Sequence, residues 1–466
     1  MKFNIRQRTL CAALTLCLSA PPAIYAPPAS AQDSGSGRPG ESLIRDAEIE
    51  ETIRDYATPV FTAAGLDASA VHIYLVSDNR LNAFVAGGQN LFLFTGTLSR
   101  SQSPNQIVGI VAHETGHMAG GHLLRTQEAM ENASIESMIA MALGAAAAVA
   151  SHGQGAGAVI AGGAGVGQRA MLQYSIEQEA KADQAGLSFL DKTKQSAGGL
   201  LDFFRILEGE ELLSAVRQDP YLRTHPLTRM RIEYVENHVS TSPYSTAKDP
   251  PDWIERHRRM KAKLAGFMEP AAQCFSEYKE DDPSIAARYA RATAYYRMPN
   301  LGKALPLIDG LIKEEPRNPY FHELKGQMLF ENGRGKEALT PYQEASRLKP
   351  GSALLRVELA QVQLEANDPA LDKAAIANLK EALRDEDRNA EAWRLLAIGY
   401  GRQENFGMSA LAVSEQAYAS GDHKLAIQQA DRALNFLPKG SPSRLRAEDL
   451  KALANREKDR ERERGD

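Results

Sequence analysis

Val108 to Arg125 read VGIVAHETGHMAGGHLLR, with His113, His117 and His122 inside ten residues and Glu114 directly after the first histidine. On a helix, residues four apart lie on one face, so the imidazoles of His113 and His117 can reach a single ion while Glu114 stands beside a water bound to it. A zinc ion lowers the pKa of such a water towards about 7, and a neighbouring carboxylate can take its proton and pass it to a leaving amine. The chemistry implied is hydrolysis of a peptide bond. The run IVGIVA ahead of the motif suits a helix with one buried face, which turns the histidines towards a cleft.

A catalytic zinc takes three protein ligands and keeps one position open. The sequence offers two sources for the third. In the longer motif H-E-x-x-H-x-x-G-x-x-H the last histidine supplies it; here Gly120 matches, the last position is Leu123, and His122 misses by one residue. The chain turns at that glycine, so helix periodicity does not absorb the slip, and His122 reads better as a surface or structural histidine. In gluzincins the third ligand is a glutamate from a later helix. YSIEQEAKADQAGLSFL holds Glu179 and Asp183 four apart on one helical face. Glu179 can bind the ion while Asp183 hydrogen-bonds an active-site histidine or helps deliver a proton. Taken alone, the same letters also describe an ordinary amphipathic helix with exposed charges.

At 466 residues the chain exceeds what one core supports, and about two to four domains are expected. Its 54 basic and 59 acidic residues are well mixed, for a net charge of -5, and no basic stripe exists to attract a phosphate backbone, so nucleic acid is not expected as a partner. Lys2, Arg6 and Arg8, the apolar run LCAALTLCLSA and the ASA ending at Ala31 give residues 1–31 the layout of a secretory signal cleaved near Ala31. That run is shorter than the roughly 20 residues a membrane span needs, and Pro21, Pro22, Pro27 and Pro28 follow it. Cys11 and Cys17 lie inside the signal, so Cys274 alone remains and no internal disulfide can form. Leu16 before Cys17 argues against a lipid-modified cysteine. A periplasmic location is expected.

Residues 45–238 mix helical stretches such as IEETIRDYATPVFTAAG with the β-rich VHIYLVSD and LFLFTGTL, an α+β block. LFLFTGTL alternates poorly, as a buried strand does, or serves as the edge strand to which a substrate adds. A Pro/Ser-rich break, STSPYSTAKDPPDW, and the basic helix WIERHRRMKAKLAGF form a linker and connecting helix over 239–281. From 282 to 440 the chain reads as an all-α tetratricopeptide-repeat solenoid. Pro316 and Pro350 stand 34 residues apart, the repeat period, and Gly326, Leu329, Ala338, Tyr342 and Ala345 fall where the two helices of a unit pack. Tyr295 and Ala304 keep that register in the preceding unit, a third unit needs an insertion near 367–374, and about four units share one core. Residues 441–466, ending NREKDRERERGD, read as a charged tail. The Ala/Gly-rich stretch 138–166 is broken by Ser151, His152, Gly153 and Gln154, and reads as a lid or helical hairpin beside the active site that touches the membrane surface, with His152 exposed rather than a ligand.

Four motifs in order carry a resemblance: Asn82-Ala83-Phe84 with GGQNLFLFTGTL, then HETGH, then EAKADQAG at Glu179 to Gly186, then THPLTRMRI at Thr224 to Ile232. Together, over about residues 45–235, they resemble the CAAX prenyl endopeptidases and their HtpX-like relatives, whose second motif is Glu-x-x-Ala-Asp-x-x-Gly. The resemblance implies a gluzincin-type α+β metalloprotease domain with one Zn2+ per chain, held by His113, His117 and Glu179. Glu114 is then the general base and Asp183 its helper. It favours LFLFTGTL as the edge strand. It gives His225, held by Pro226, one of two roles: stabilising the oxyanion with Arg231 nearby, or occupying the open zinc position and keeping the enzyme latent. Lys181 departs from the pattern where relatives often carry a second glutamate. With a secretion signal in front and repeats behind, the whole chain is similar to repeat-bearing periplasmic members of the family. That likeness implies outer-membrane protein assembly and quality control, with unfolded or stalled outer-membrane proteins as substrates and the assembly machinery bound by the repeats. The alternative is a periplasmic chaperone or assembly scaffold whose protease is latent.

Overall fold

The computed structural model describes residues 42–121, 176–211 and 220–465; the leader, His122, His152 and the stretch 138–166 lie outside the described residues. Helix α1 (Ala47–Ala63) starts where Asp46 accepts from the Ile49 N–H, and it buries Ile49, Ile53, Tyr56, Val60 and Phe61 in the first core. Beside it lies a four-stranded sheet of β1 (Ser42–Ile44), β2 (His72–Ser77), β3 (Ala83–Ala86) and β4 (Asn90–Phe94), in the order β1-β2-β4-β3. β2 and β4 run parallel, while β1 with β2 and β3 with β4 run antiparallel.

This order corrects the placing of LFLFTGTL at the edge. Its first half is β4, paired with β2 on one side and β3 on the other and buried along its whole length, which is why the letters do not alternate. The second half turns into α2 (Thr95–Arg100). The edge strands are β1 and β3, and among the described residues no strand pairs with the outer side of β3.

Helix α3 (Pro104–Ala119) carries the histidine motif. Ser103 caps it by accepting from the Gln106 N–H, and Pro104 occupies its first turn, where a missing donor costs nothing. α4 (Ile176–Lys192), α5 (Gly198–Glu211), the short α6 (Pro220–Thr224) and α7 (Arg229–Thr241) complete the first core around it. No helix among the described residues is long and apolar enough to cross a membrane.

After α8 (Pro251–Met268) and α9 (Ala271–Glu277) the chain is a series of helical hairpins. They pair α10 (Ile285–Arg297) with α11 (Leu301–Glu314), α12 (Pro319–Glu331) with α13 (Gly335–Leu348), and α14 (Ala353–Glu365) with α15 (Pro369–Asp385). Two more pairs follow, α16 (Ala390–Arg402) with α17 (Phe406–Ala419) and α18 (His423–Phe436) with α19 (Pro442–Gly465). The caps Ser284, Asn318 and Ser352 recur at the repeat period and start the first helix of three successive pairs. Gly326 is the close contact within a pair: a Cβ there would stand 2.7 Å from the Tyr342 ring. The insertion falls in α15, 17 residues long against 14 in α13. Residues read as a charged tail form α19, which buries Ala447, Leu450 and Ala454.

The stretch read as a connecting helix, α8, contributes to both halves. Met260 and Leu264 lie in the first core, while Ala262 and Ala265 pack with Cys274 of α9 and Ala290 of the first repeat helix. Between them Lys263 is fully buried, its Nζ 2.8 Å from Asp46, 3.3 Å from Glu323 and 3.7 Å from Glu48. Arg259 donates to Glu48 at 3.0 Å and the Tyr289 hydroxyl does so at 2.8 Å. An ammonium taken out of water is tolerated only with such partners, and removing it leaves the carboxylates uncompensated. Lys263→Ala is therefore expected to destabilise the fold by about 3–5 kcal/mol. A denaturant midpoint equal to that of wild type would reject this role.

Candidate metal centre

The site begins with two helices that approach unusually closely. A Cβ on Gly116 of α3 would lie 2.5 Å from the Ala182 carbonyl oxygen of α4, and one on Gly186 of α4 would lie 3.0 Å from the Ala112 backbone of α3. Each helix thus presents a glycine to the other's backbone, and no side chain separates them. This crossing sets Glu179 and Asp183 against His113 and His117. On its other side α3 repeats the device with α5, Gly109 against Leu200 and Gly199 against Asn105.

The donors converge. His113 Nε2 lies 3.1 Å from His117 Nε2 and 3.3 Å from Glu179 Oε2, and His117 Nε2 lies 3.2 Å from Glu179 Oε1. His225, just after α6, adds Nδ1 at 3.2 Å from Glu179 Oε1 and 3.4 Å from His113 Nε2. One ligand atom from each of these four residues falls within 4.8 Å of all the others, and all four residues are fully buried. Ligand atoms about 2.0–2.1 Å from a tetrahedral ion stand about 3.3–3.4 Å apart, so the spacing fits a zinc-sized cation. The chemistry fits as well. His113 Nδ1 donates to Asp183 Oδ1 at 2.8 Å, which leaves its Nε2 lone pair facing the cluster.

Arg231, in the first turn of α7, stands behind the carboxylates. Its Nε lies 2.6 Å and its Nη2 2.9 Å from Asp183, and its Nη1 lies 2.7 Å from Glu179 and 2.8 Å from the Pro226 carbonyl. The guanidinium lies 5.0 Å from the Phe204 ring centroid. Its donors are thus turned onto the proposed ligand carboxylate and its neighbour.

Burial opposes a charged His113, but Asp183 and Glu179 outweigh it and push its pKa up to about 10. His117 lacks the Asp183 contact, so burial prevails and its pKa falls well below the usual histidine value. Burial would raise Glu179 and Asp183, yet the imidazoles around the first and Arg231 beside the second hold both below the usual carboxylate range. The two carboxylates thus draw one positive charge into the cluster, which is the charge a bound cation supplies.

Glu114 is fully buried, with His225 Nε2 3.6 Å from its Oε1, and neither of its oxygens has a hydrogen-bond partner among the described residues. Burial pushes its pKa up to about 7, against the pull of His225 and His113. Tyr221 was not singled out from the sequence. Its ring stacks on His225 at 4.4 Å and 19°, its N–H donates to the Leu81 carbonyl at 3.3 Å, and its hydroxyl has no hydrogen-bond partner among the described residues. The only trace in the letters is an aromatic residue one turn ahead of His225. The carboxamide of Asn82, next to Leu81, is also buried and has no hydrogen-bond partner among the described residues.

Residues 43–239 match peptidase family M48, and residues 289–353 match a tetratricopeptide repeat. A putative beta-barrel assembly-enhancing protease of Vibrio cholerae is 27% identical over 417 residues, covering 88% of this chain and 84% of that protein. The beta-barrel assembly-enhancing protease of Escherichia coli (strain K12) is 22% identical over 402 residues, covering 86% and 81%.

Two substitutions test the arrangement. Gly116→Val drives a side chain into the Ala182 backbone and should abolish metal binding while far-UV circular dichroism stays helical. Asp183→Ala, which frees the His113 ring, should weaken metal binding about 10- to 100-fold in a chelator competition. Wild-type affinity in either variant would count against the geometry.

Proposed function

We propose that this chain, whose residues 43–239 form a metallopeptidase domain of peptidase family M48, is a zinc endopeptidase of the periplasm held latent by His225. The carrying observation is the closed, fully buried cluster of His113, His117, Glu179 and His225 beside an unpartnered Glu114. A zinc ion, when bound, supplies Lewis-acid polarisation and a water ionisable near neutral pH. His113, His117 and Glu179 would hold it. Asp183 keeps the His113 ring in the required tautomer, and Arg231 fixes both carboxylates. Glu114, whose oxygens have no hydrogen-bond partner among the described residues, takes a proton and passes it to the leaving amine.

A catalytic metal needs an open position, and His225 stands where a fourth ligand would. That supports the latch over the oxyanion role, since Arg231, the other half of an oxyanion pair, is turned onto Asp183 and Glu179. A substrate in extended form would add to the outer side of β3, an edge strand. The leader sequence and the named relatives support a periplasmic protein acting on unfolded or stalled outer-membrane proteins, with the repeats engaging the assembly machinery. The closed site also favours a second reading, an assembly scaffold in which proteolysis is exceptional.

Glu114→Gln should keep zinc and lose casein cleavage by about 10²- to 10⁴-fold. His225→Ala should keep zinc and cleave faster than wild type. Loss of cleavage in that variant would assign His225 to the oxyanion, an unchanged rate would reject both roles, and a chain purified without chelators that holds no zinc would overturn the peptidase reading.

A further inference from the structure

Tyr221 poses a question that packing does not answer. It is 1% exposed, stacked on His225 and set edge-on to Phe203 at 5.1 Å. These contacts account for the ring. A phenylalanine would make them equally well and would not bury a hydroxyl that has no partner among the described residues, a destabilising arrangement. Native proteins pair nearly all buried polar groups, and the exceptions cluster where a ligand completes the bonding. Glu114, the proposed base, is the neighbouring exception, with both oxygens unpartnered among the described residues.

Peptide hydrolysis develops negative charge on the carbonyl oxygen, and that charge needs a donor fixed in advance. Arg231 faces Asp183, Glu179 and the Pro226 carbonyl, so it is aimed behind the metal ligands rather than at a substrate. Tyr221 is placed differently. Its backbone N–H holds the Leu81 carbonyl at the entry to edge strand β3, beside which an extended substrate would run. Its ring lies against His225, whose Nε2 is 3.6 Å from Glu114. Tyr221 is thus tied through its backbone to the lead into β3 and through its ring to the histidine that neighbours Glu114. We propose that the Tyr221 hydroxyl is a catalytic hydrogen-bond donor to the carbonyl oxygen of the scissile peptide. This rests on the peptidase reading above.

The test is Tyr221→Phe, made in the wild-type chain and in His225→Ala, with an internally quenched peptide as substrate. In the wild-type chain the hydroxyl alone is removed and the stacking on His225 is kept, and in His225→Ala each variant is compared with its own parent, which already lacks that ring. The expected result is a fall in kcat of about 100-fold with KM within about twofold of the parent. Zinc stoichiometry should be unchanged and the thermal midpoint equal or higher, because an unpaired buried group has been removed. A kcat within about twofold of the parent overturns the proposal, as does a lower kcat accompanied by lost zinc or a lowered midpoint, which marks a packing role. Parents that bind zinc but cleave nothing in either background overturn the peptidase reading itself, and this role with it.

Discussion

The crossing of α3 and α4 is the contact on which the centre depends. Neither helix alone makes a site: α3 offers two imidazoles on one face, and α4 offers two carboxylates one turn apart. Gly116 against Ala182 and Gly186 against Ala112 remove every side chain from the crossing point, so the backbones meet and the four groups close on one another. Alanine at Gly116 would put a Cβ 2.5 Å from the Ala182 carbonyl oxygen and force the helices apart, while alanine at Gly186 would meet the Ala112 backbone at 3.0 Å and displace it less. The glycine in HETGH and the one ending EAKADQAG are therefore packing residues with a chemical consequence. Gly109 and Gly199 hold α3 from the side of α5 by the same means.

Burial follows from that closeness and sets the electrostatics. Charged groups excluded from water persist only with partners, and here the partners form a chain: Arg231 on Asp183 and Glu179, Asp183 on His113, and Glu179 among the three histidines. Each link also fixes an orientation. Asp183 sets the tautomer of His113, and Arg231 prevents the carboxylates from turning away. Glu114 stands outside the chain, its oxygens unpartnered among the described residues, as suits a group whose partner arrives with the reaction.

The sequence made the histidine helix legible because spacing of four on a helix translates directly into a shared face. Glu179 and Asp183 were legible only through the family resemblance, since carboxylates four apart occur on any solvated helix and the glycines that bring them inward have no periodic signature. The repeats were readable from their period as far as Pro350. Beyond it the extra residues in α15 shift the register, and the sparse alanines that α19 buries hide among charges. The edge strand was misplaced for a physical reason. A strand paired on both sides and covered on both faces loses its alternation, and β4 therefore shows the same letters as a strand of unknown position. Tyr221 left almost no trace, because what marks it is a buried hydroxyl with no hydrogen-bond partner among the described residues, which only the packed structure reveals.

The peptidase and repeat halves are joined by shared buried material rather than by a tether. α1 turns Ile53, Tyr56 and Phe61 into the first core, which also holds α3, while Asp46 and Glu48 at its start meet Lys263 of α8. Glu323 of α12 completes that cluster, and Arg45 bonds Glu386 beyond α15. Hinging the repeats away from the peptidase half would expose a buried ammonium together with its carboxylates, which is far costlier than bending a solvated linker. The repeats are therefore packed onto α1, and through the common core onto the helix that carries His113, Glu114 and His117.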